Sequence, residues 1–143
     1  MILPQFYTDD IIKRAILEDI NYVDVASDYL ISEEQRNEAY FVSKADGVLC
    51  GIDVAMRVFE LLDDSFTAKV YMHDGDKVKK GDLIAEFSGK TTLLLKGERT
   101  ALNLLQHMSG IATATAKAVK LCEGTKASIA DTRKTLPSLR ALQ

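Results

Sequence analysis

Several residue types that mark particular protein classes are scarce in this 143-residue chain. It has two histidines and two cysteines, and Cys50 and Cys122 are too far apart in sequence for a metal or redox motif. We therefore expect two reduced core cysteines in a cytoplasmic protein, and no metal site built on them. The net charge of −3 excludes a general attraction to nucleic acid, so any anion site must be built locally.

Long apolar runs are missing as well. The first ten residues, MILPQFYTDD, contain neither the basic region nor the apolar run that a signal peptide or a membrane span needs. We therefore expect no membrane partner. The composition, 47% hydrophobic and 27% charged, is typical of a globular domain with a real core.

Apolar residues at helical spacing predict three helices. They cover residues 8–19 with Thr8 as N-cap, 52–63, and 96–122. In the third helix the Ser109–Gly110 pair predicts a break or a bend, and Gly124 is placed to terminate the helix. The stretch 20–37 has weak periodicity and is expected to be a loop with at most short structure.

Short apolar or alternating runs predict the strands. The runs 39–42 and 48–50 flank the turn signal ADG and predict a hairpin. Further strands are expected at 66–72, 82–88 and 128–130, and TTLLL at 91–95 can continue the sheet. The expected fold class is therefore α+β.

The segment DGDKVKKGDLIAEFSG, residues 74–89, allows two interpretations. It resembles half of the lipoyl and biotinyl carrier motif, in which Lys77 would be the modified residue. Alternatively, Gly75 and Gly81 set the geometry of two turns, which Asp74, Asp76 and Asp82 cap. We favour the turns.

One face of the third helix is polar. Arg99, Asn103, Gln106 and Gly110 lie at spacings that place them on that face. The small residues of 109–116 suit close packing against another element. His107 has no second ligand at helical spacing and gives no metal signal.

The segment ADTRKTLPSLR, residues 130–140, places a polar cluster directly after a predicted strand. Chemistry in α/β barrels is found at such strand ends. The Arg133 fork fits a carboxylate or phosphate and Lys134 adds a mobile charge, which favours a doubly charged ligand. The alternative is a basic, solvated loop.

ERTALNLLQHMSGIAT followed by ADTRKTLPSLR resembles the quinolinate phosphoribosyltransferase family, also called nicotinate-nucleotide pyrophosphorylase (carboxylating). AILEDI, residues 15–20, and the DGDKVKKGD segment occupy the family's usual places. The resemblance covers essentially the whole chain and corresponds to the N-terminal half of the longer family proteins.

The resemblance implies a two-domain fold and a shared active site. Residues 1–108 would form an N-terminal α/β sandwich, and residues 109–143 the linking helices and first strand of a truncated α/β (TIM-like) barrel. Two subunits would pair in a homodimer or higher homo-oligomer, the sandwich of one covering the barrel of the other. The implied reaction joins quinolinate to phosphoribosyl pyrophosphate with Mg²⁺, whose ligands lie outside this chain, and releases pyrophosphate and CO₂.

The resemblance also implies roles for four residues. Arg99 would bind a quinolinate carboxylate in the partner's site, whereas Thr132, Arg133 and Lys134 would line the pocket of their own barrel. Lys134 would also act in catalysis and touch phosphoribosyl pyrophosphate.

The chain departs from the family in three places. NYVDVAS follows the acidic pair Glu18–Asp19, Ser138 replaces the usual glycine of the turn, and the family's later His-Arg pair, lysine and Mg²⁺-binding acids are missing. The chain alone is therefore expected to be inactive. The alternatives are a related enzyme of a molybdenum-transport cluster, an enzyme acting on nicotinate, and a carrier-type β module.

Overall fold

The computed structural model describes residues 4–20 and 24–143 of the chain. Its helices are α1 (Gln5–Asp19), α2 (Val25–Leu30), α3 (Ile52–Leu62) and α4 (Thr91–Cys122), followed by a 3₁₀ turn at Arg140–Leu142. Its strands are β1 (Arg36–Val42), β2 (Gly47–Val48), β3 (Thr67–Val70), β4 (Lys77–Val78) and β5 (Leu83–Lys90). This mixture of helix and antiparallel sheet confirms the expected α+β class.

The main sheet has three antiparallel strands in the order β1-β5-β3, and β2 pairs with β4 in a second, two-stranded sheet. The predicted hairpin of 39–42 with 48–50 is therefore wrong. β1 pairs with β5 instead, with Phe41 opposite Ala85. The end of β1 is tied to a distant turn by two backbone hydrogen bonds of 2.9 Å, from Ser43 N to the Asp82 carbonyl and from Gly81 N to the Ser43 carbonyl. The chain after β1 therefore does not fold back on β1 as a hairpin.

The core lies between the main sheet and helices α3 and α4. Phe59 of α3 is 1% exposed, and its ring centroid lies 5.0 Å from that of Phe87 in β5 and 6.2 Å from that of Phe41 in β1. Gly97 of α4 faces the same ring, because a Cβ at this position would lie 2.8 Å from Cδ1 of Phe59. The glycine thus allows α4 to approach α3 closely.

Helix α4 is longer than its sequence predicts. It runs over 32 residues without a break at Ser109–Gly110, and TTLLL begins the helix rather than extending the sheet. Ser109 and Thr113 accept hydrogen bonds from the amides of Cys50 and Val48, at 3.0 and 2.9 Å. These contacts confirm the expected close packing of the small residues.

The helix ends differ from expectation at one point and agree at another. Pro4, and not Thr8, is the N-cap of α1, so Thr8 lies within the helix. Gly124 follows the last helical turn with a φ of +78°, which confirms it as the terminating glycine.

The stretch 20–37 contains short structure, as predicted. It includes the six-residue helix α2, capped by Asp24, and the first residues of β1. Residues 21–23, the first three of NYVDVAS, lie outside the described residues.

Residues 128–130 are exposed and belong to neither sheet, so the predicted buried strand is not formed. A strand needs a neighbour that completes its ladder of hydrogen bonds, and within 4–20 and 24–143 no strand pairs with this segment. The barrel to which it was assigned stays a prediction. None of the helices in the described ranges is long and apolar enough to cross a membrane.

A buried carboxylate joins the end of α3 to the end of β5. Asp63 is 5% exposed, and its oxygens accept hydrogen bonds from Ser65 N at 2.9 Å, Ser65 Oγ at 2.6 Å and Lys90 N at 2.8 Å. Burial alone would raise the pKa of Asp63, but these hydrogen bonds, helped by Arg36, together lower the pKa.

Asp63→Asn is expected to lower the free energy of unfolding by about 1–3 kcal/mol at pH 7, because an amide cannot accept all three bonds. The folded pKa lies below the unfolded value of about 3.9, so the carboxylate's contribution is present above about pH 4 and lost as pH falls through the folded pKa. Urea unfolding should therefore show the gap between wild type and variant narrowing at pH 3. The exposed neighbour provides a control, Asp64→Asn, which should match wild type. A difference in unfolding free energy between wild type and Asp63→Asn that stays constant with pH would contradict the lowered pKa of Asp63.

Candidate functional site

The loop 131–135 carries exposed cations. Thr132, Arg133 and Lys134 are all exposed, and the Thr132 hydroxyl accepts a hydrogen bond of 3.2 Å from Lys134 N. Within the described part of the chain, neither the guanidinium of Arg133 nor the ammonium of Lys134 has an ion-pair or hydrogen-bond partner. The loop therefore presents two uncompensated positive charges to solvent, as an anion site requires.

A tight turn follows the loop. Leu139 N donates to the Leu136 carbonyl at 3.2 Å, and Ser138 has a φ of +68°. Proline in the second position and a positive φ in the third are the features of a type II turn, which favours glycine at the third position. Ser138 occupies the turn position where the backbone is left-handed, so a serine in place of the glycine expected from the resemblance strains the turn without preventing it.

Arg140 returns from the turn to the loop. Its Nε donates to Thr135 Oγ1 at 3.1 Å and its Nη2 to the Arg133 carbonyl at 3.3 Å. Leu142, two residues later, is 4% exposed and belongs to the core, which anchors this segment. Arg140 thus holds the backbone that carries the two free cations, a role that our sequence analysis did not assign. The sequence offered one signal for this role, because Arg140 directly follows a predicted proline turn that can bring its side chain back to the loop.

His107 takes part in the same arrangement. Its Nε2 lies 2.6 Å from Gln143 Nε2, and the Gln143 side-chain oxygen accepts from Leu136 N at 2.9 Å. The histidine therefore has a hydrogen-bonding role in attaching the loop segment to α4. Among the residues that the structure describes, no group of three His, Cys, Asp or Glu side chains could hold a metal ion.

Arg99 lies elsewhere, on the exposed face that α4 presents with Asn103, Gln106 and Gly110, as the spacing predicted. Its Nε donates to both carboxylate oxygens of Asp19, at 2.9 and 3.1 Å. The Arg99 side chain is 70% exposed, against 24% for Asp19. Over the described ranges, no hydrogen bond or ion pair joins Arg99 to the loop 131–135, so a single chain does not bring the expected site residues together.

The DGDKVKKGD segment is confirmed as a pair of capped turns. Gly75 and Gly81 have φ values of +95° and +97°. Asp76 accepts from His73 N at 2.7 Å, and Asp82 from Lys79 N at 2.8 Å.

Two residues of this segment differ from the sequence-based expectation, because Asp74 caps a helix rather than its own turn and Lys77 lies in a strand. The Asp74 carboxylate accepts from Gly51 N at 2.8 Å and Ile52 N at 3.0 Å, which caps α3. Lys77 lies in β4 opposite Val48, and not at the hairpin tip where a carrier lysine would be modified.

The two cysteines are free and only partly buried, so they are not the core residues we expected. The Cys50 thiol donates to Asp74 Oδ2 at 3.8 Å. Burial and the neighbouring Asp74 carboxylate raise the pKa of the Cys50 thiol, which keeps it protonated at neutral pH and unsuited to act as a nucleophile.

Two family models match the chain. The N-terminal domain of quinolinate phosphoribosyl transferase matches residues 24–109, and the C-terminal domain of the same enzyme matches residues 111–143. The chain belongs to the quinolinate phosphoribosyltransferase family. The two matches meet inside α4, which continues across the junction.

Similar proteins include a probable nicotinate-nucleotide pyrophosphorylase (carboxylating) from Bacillus subtilis, 41% identical over 93% of this chain and 46% of its own length. A nicotinate-nucleotide pyrophosphorylase (carboxylating) from Mycobacterium leprae is also 41% identical, over 94% of this chain and 48% of its own length. The chain thus spans about half the length of the curated relatives it matches.

Solved structures agree. NadC from Streptococcus pyogenes superposes with a TM-score of 0.94 and 38% identity, covering 99% of this chain and 50% of its own. The nicotinate-nucleotide pyrophosphorylase from Francisella tularensis superposes with a TM-score of 0.89 and 32% identity, covering 97% of this chain and 49% of its own. The fold of the family is therefore retained over nearly the whole chain.

Proposed function

We propose that this chain supplies part of the active site of a quinolinate phosphoribosyltransferase, which makes nicotinate mononucleotide for NAD biosynthesis. The observation that supports the proposal is the pair of unpaired cations, Arg133 and Lys134, on a loop that Arg140 holds, in a chain of this family. Quinolinate is a dianion and phosphoribosyl pyrophosphate a polyanion, so both substrates need cationic groups supplied locally in an acidic protein.

Each loop residue has a distinct chemical task in this proposal. The planar fork of Arg133 binds a quinolinate carboxylate by two parallel hydrogen bonds, and the Thr132 hydroxyl donates a further bond. Lys134 brings a mobile charge to the pyrophosphate as the bond from the anomeric carbon to its oxygen breaks. Mg²⁺ bound to phosphoribosyl pyrophosphate would neutralise part of that charge, held by groups outside this chain.

The proposed reaction has two bond changes at the pyridine. The ring nitrogen forms a bond to the anomeric carbon as pyrophosphate leaves, and the nitrogen becomes cationic. The adjacent carboxylate then leaves as CO₂, and the electron pair of the broken C–C bond stays on the ring carbon, next to the positive nitrogen. That carbon finally takes up a proton. The cationic ring is what makes the loss of CO₂ possible.

We further propose that Arg99 serves the site of a second subunit, in a homodimer or a larger homo-oligomer. Its exposure and its lack of contact with the described 131–135 loop support a role in trans.

We also propose a division into domains at residues 108–109 and a cytoplasmic location. A boundary there would lie inside α4, so the helix would connect the two domains rigidly.

The alternatives have less support. The matched relatives are named as nicotinate-nucleotide pyrophosphorylases or quinolinate phosphoribosyltransferases, which does not favour an enzyme of molybdenum transport. A carrier module is disfavoured by the position of Lys77 in β4.

The test is an assay for nicotinate mononucleotide from quinolinate and phosphoribosyl pyrophosphate, using full-length protein that carries this chain. Full-length protein should be active, nicotinate should not replace quinolinate, and the 143-residue chain alone should be inactive because it holds only part of the site. Arg133→Ala should abolish activity, whereas Lys126→Ala, which removes an exposed cation outside the loop, should not. Full-length protein that uses nicotinate, or neither pyridine, would contradict the proposal.

A further inference from the structure

We propose that Asp19 is a positioning residue for substrate binding. It holds the Arg99 guanidinium by Nε, so that the opposite edge of the group, formed by Nη1 and Nη2, is presented to a carboxylate of the ligand. The inference rests on the proposed function, in which Arg99 binds quinolinate.

The geometry of the pair leaves one edge of the guanidinium available. The group has five N–H donors in one plane, and the single Nε–H is directed to the two oxygens of Asp19, at 2.9 and 3.1 Å. Within the described residues, Nη1 and Nη2 of Arg99 make no hydrogen bond. The two parallel N–H groups on their outer edge match the two oxygens of a carboxylate.

Asp19 is better fixed than the arginine it holds. It is the last residue of α1, and that helix is anchored in the core by Ile11 and Ile12, which are 4% and 0% exposed. The Asp19 side chain is 24% exposed, whereas the Arg99 side chain is 70% exposed. The carboxylate is thus a fixed reference on one helix for a long side chain on another.

Preorganisation explains why such a pair would matter for binding more than for folding. A free arginine samples many rotamers, and a ligand that binds it must immobilise it. With Asp19 present, much of that ordering is complete before the ligand arrives. Exposed ion pairs contribute little to stability, so removal of Asp19 should leave folding nearly unchanged.

Electrostatic repulsion between Asp19 and the ligand opposes the gain from preorganisation. Asp19 is negative and would repel a dianionic ligand. The guanidinium lies between the two carboxylates, however, and charges separated in this way in a solvated setting interact only weakly. We therefore expect preorganisation to exceed repulsion, and the sign of the Asp19→Asn effect decides between them.

The chain offers a matched control. Lys96 and Asp28 form another ion pair that joins α2 to α4, three residues before Arg99. Asp28→Asn breaks a helix-to-helix ion pair of the same kind without touching Arg99. A general loosening of α4 would affect both variants, whereas positioning of Arg99 would affect Asp19→Asn alone.

The experiment is calorimetric titration of full-length protein with quinolinate, together with steady-state kinetics. Asp19→Asn should weaken quinolinate binding and raise its KM by about three- to tenfold, the cost of immobilising one flexible side chain. The KM for phosphoribosyl pyrophosphate, kcat and the urea midpoint should stay near wild type. Asp28→Asn should behave as wild type, and Asp19→Glu should restore part of the affinity.

A second comparison isolates the route of action. In an Arg99→Ala background, Asp19→Asn should have no further effect, because the residue acts only through Arg99. Asp19→Asn protein that binds quinolinate as tightly as wild type, or more tightly, overturns the inference while the proposed function stands. Wild-type protein that binds no quinolinate overturns both.

Discussion

Phe59→Ala is expected to lower the free energy of unfolding by about 3–5 kcal/mol, one of the two largest effects the structure predicts. Phe59 is 1% exposed and stacks on Phe66 with 5.3 Å between ring centroids and on Phe87 with 5.0 Å. Removing the ring leaves a cavity between the sheet and α4 and also removes these aromatic contacts. Urea unfolding followed by circular dichroism measures the loss.

A matched control makes the same chemical change at the surface. Phe6 of α1 is 77% exposed, so Phe6→Ala should change stability by no more than about 0.5 kcal/mol. A loss below about 1 kcal/mol for Phe59→Ala would contradict the assigned core, because large-to-small changes at buried sites cost more than this.

Gly97 tests the same contact from the other side. A Cβ there would lie 2.8 and 2.9 Å from ring atoms of Phe59, so Gly97→Ala should destabilise the protein although alanine is the better helix former. In Phe59→Ala protein that penalty should shrink, since the two ring atoms nearest to the added Cβ are absent, although Leu62 Cδ1 stays close at 3.1 Å. Unchanged cost in both backgrounds would show that the two residues are independent.

What the sequence predicts well is local. Helix α3 follows from the apolar spacing of Ile52, Ala55, Met56 and Phe59, and its observed bounds, Ile52–Leu62, agree with the predicted ones to within one residue. The turns at Gly75 and Gly81 follow equally from short-range rules, because few residues other than glycine accept a positive φ.

What the sequence misses depends on contacts between distant segments. The runs 39–42 and 48–50 carried a local hairpin signal, yet β1 pairs with β5, more than forty positions along the chain. A strand's partner is chosen by the whole core, and no local pattern contains that information.

The candidate site divides in the same way. The residue types of Thr132, Arg133 and Lys134 pointed to an anion, and their exposure agrees. The partners that hold the site were not visible, because Asp19 and Arg99 lie 80 positions apart and Arg140 reaches Thr135 only through the strained turn at Ser138. Sequence motifs therefore identify the residues that contact a ligand better than they identify the residues that position those side chains.

Arg99→Ala is expected to weaken quinolinate binding in full-length protein by about 2–5 kcal/mol, as for the loss of one partner of a buried charge pair. Arg99→Lys should lose less, because it keeps the charge but not the fork. The affinity for phosphoribosyl pyrophosphate should change little in both variants. Stability should also change little, since the ion pair with Asp19 is largely exposed.

The decisive measurement asks whether Arg99 acts in its own subunit or in a neighbour. Arg99→Ala and Arg133→Ala homodimers each have both sites damaged, so each should be nearly inactive alone. If Arg99 works in trans, a heterodimer of the two variants collects both lesions in one site and leaves the other intact. Mixing them under subunit exchange should then restore activity toward one working site per dimer.

The control for mixing is a chain that carries both substitutions. Combined with Arg133→Ala, the double variant can form no intact site in any pairing, so activity should stay at the background level. Recovery in this control would mean that exchange itself changes the assay. If the first mixture regains nothing while labelled subunits are seen to exchange, Arg99 acts in cis or has no part in binding, and its exposed position on α4 would need another explanation.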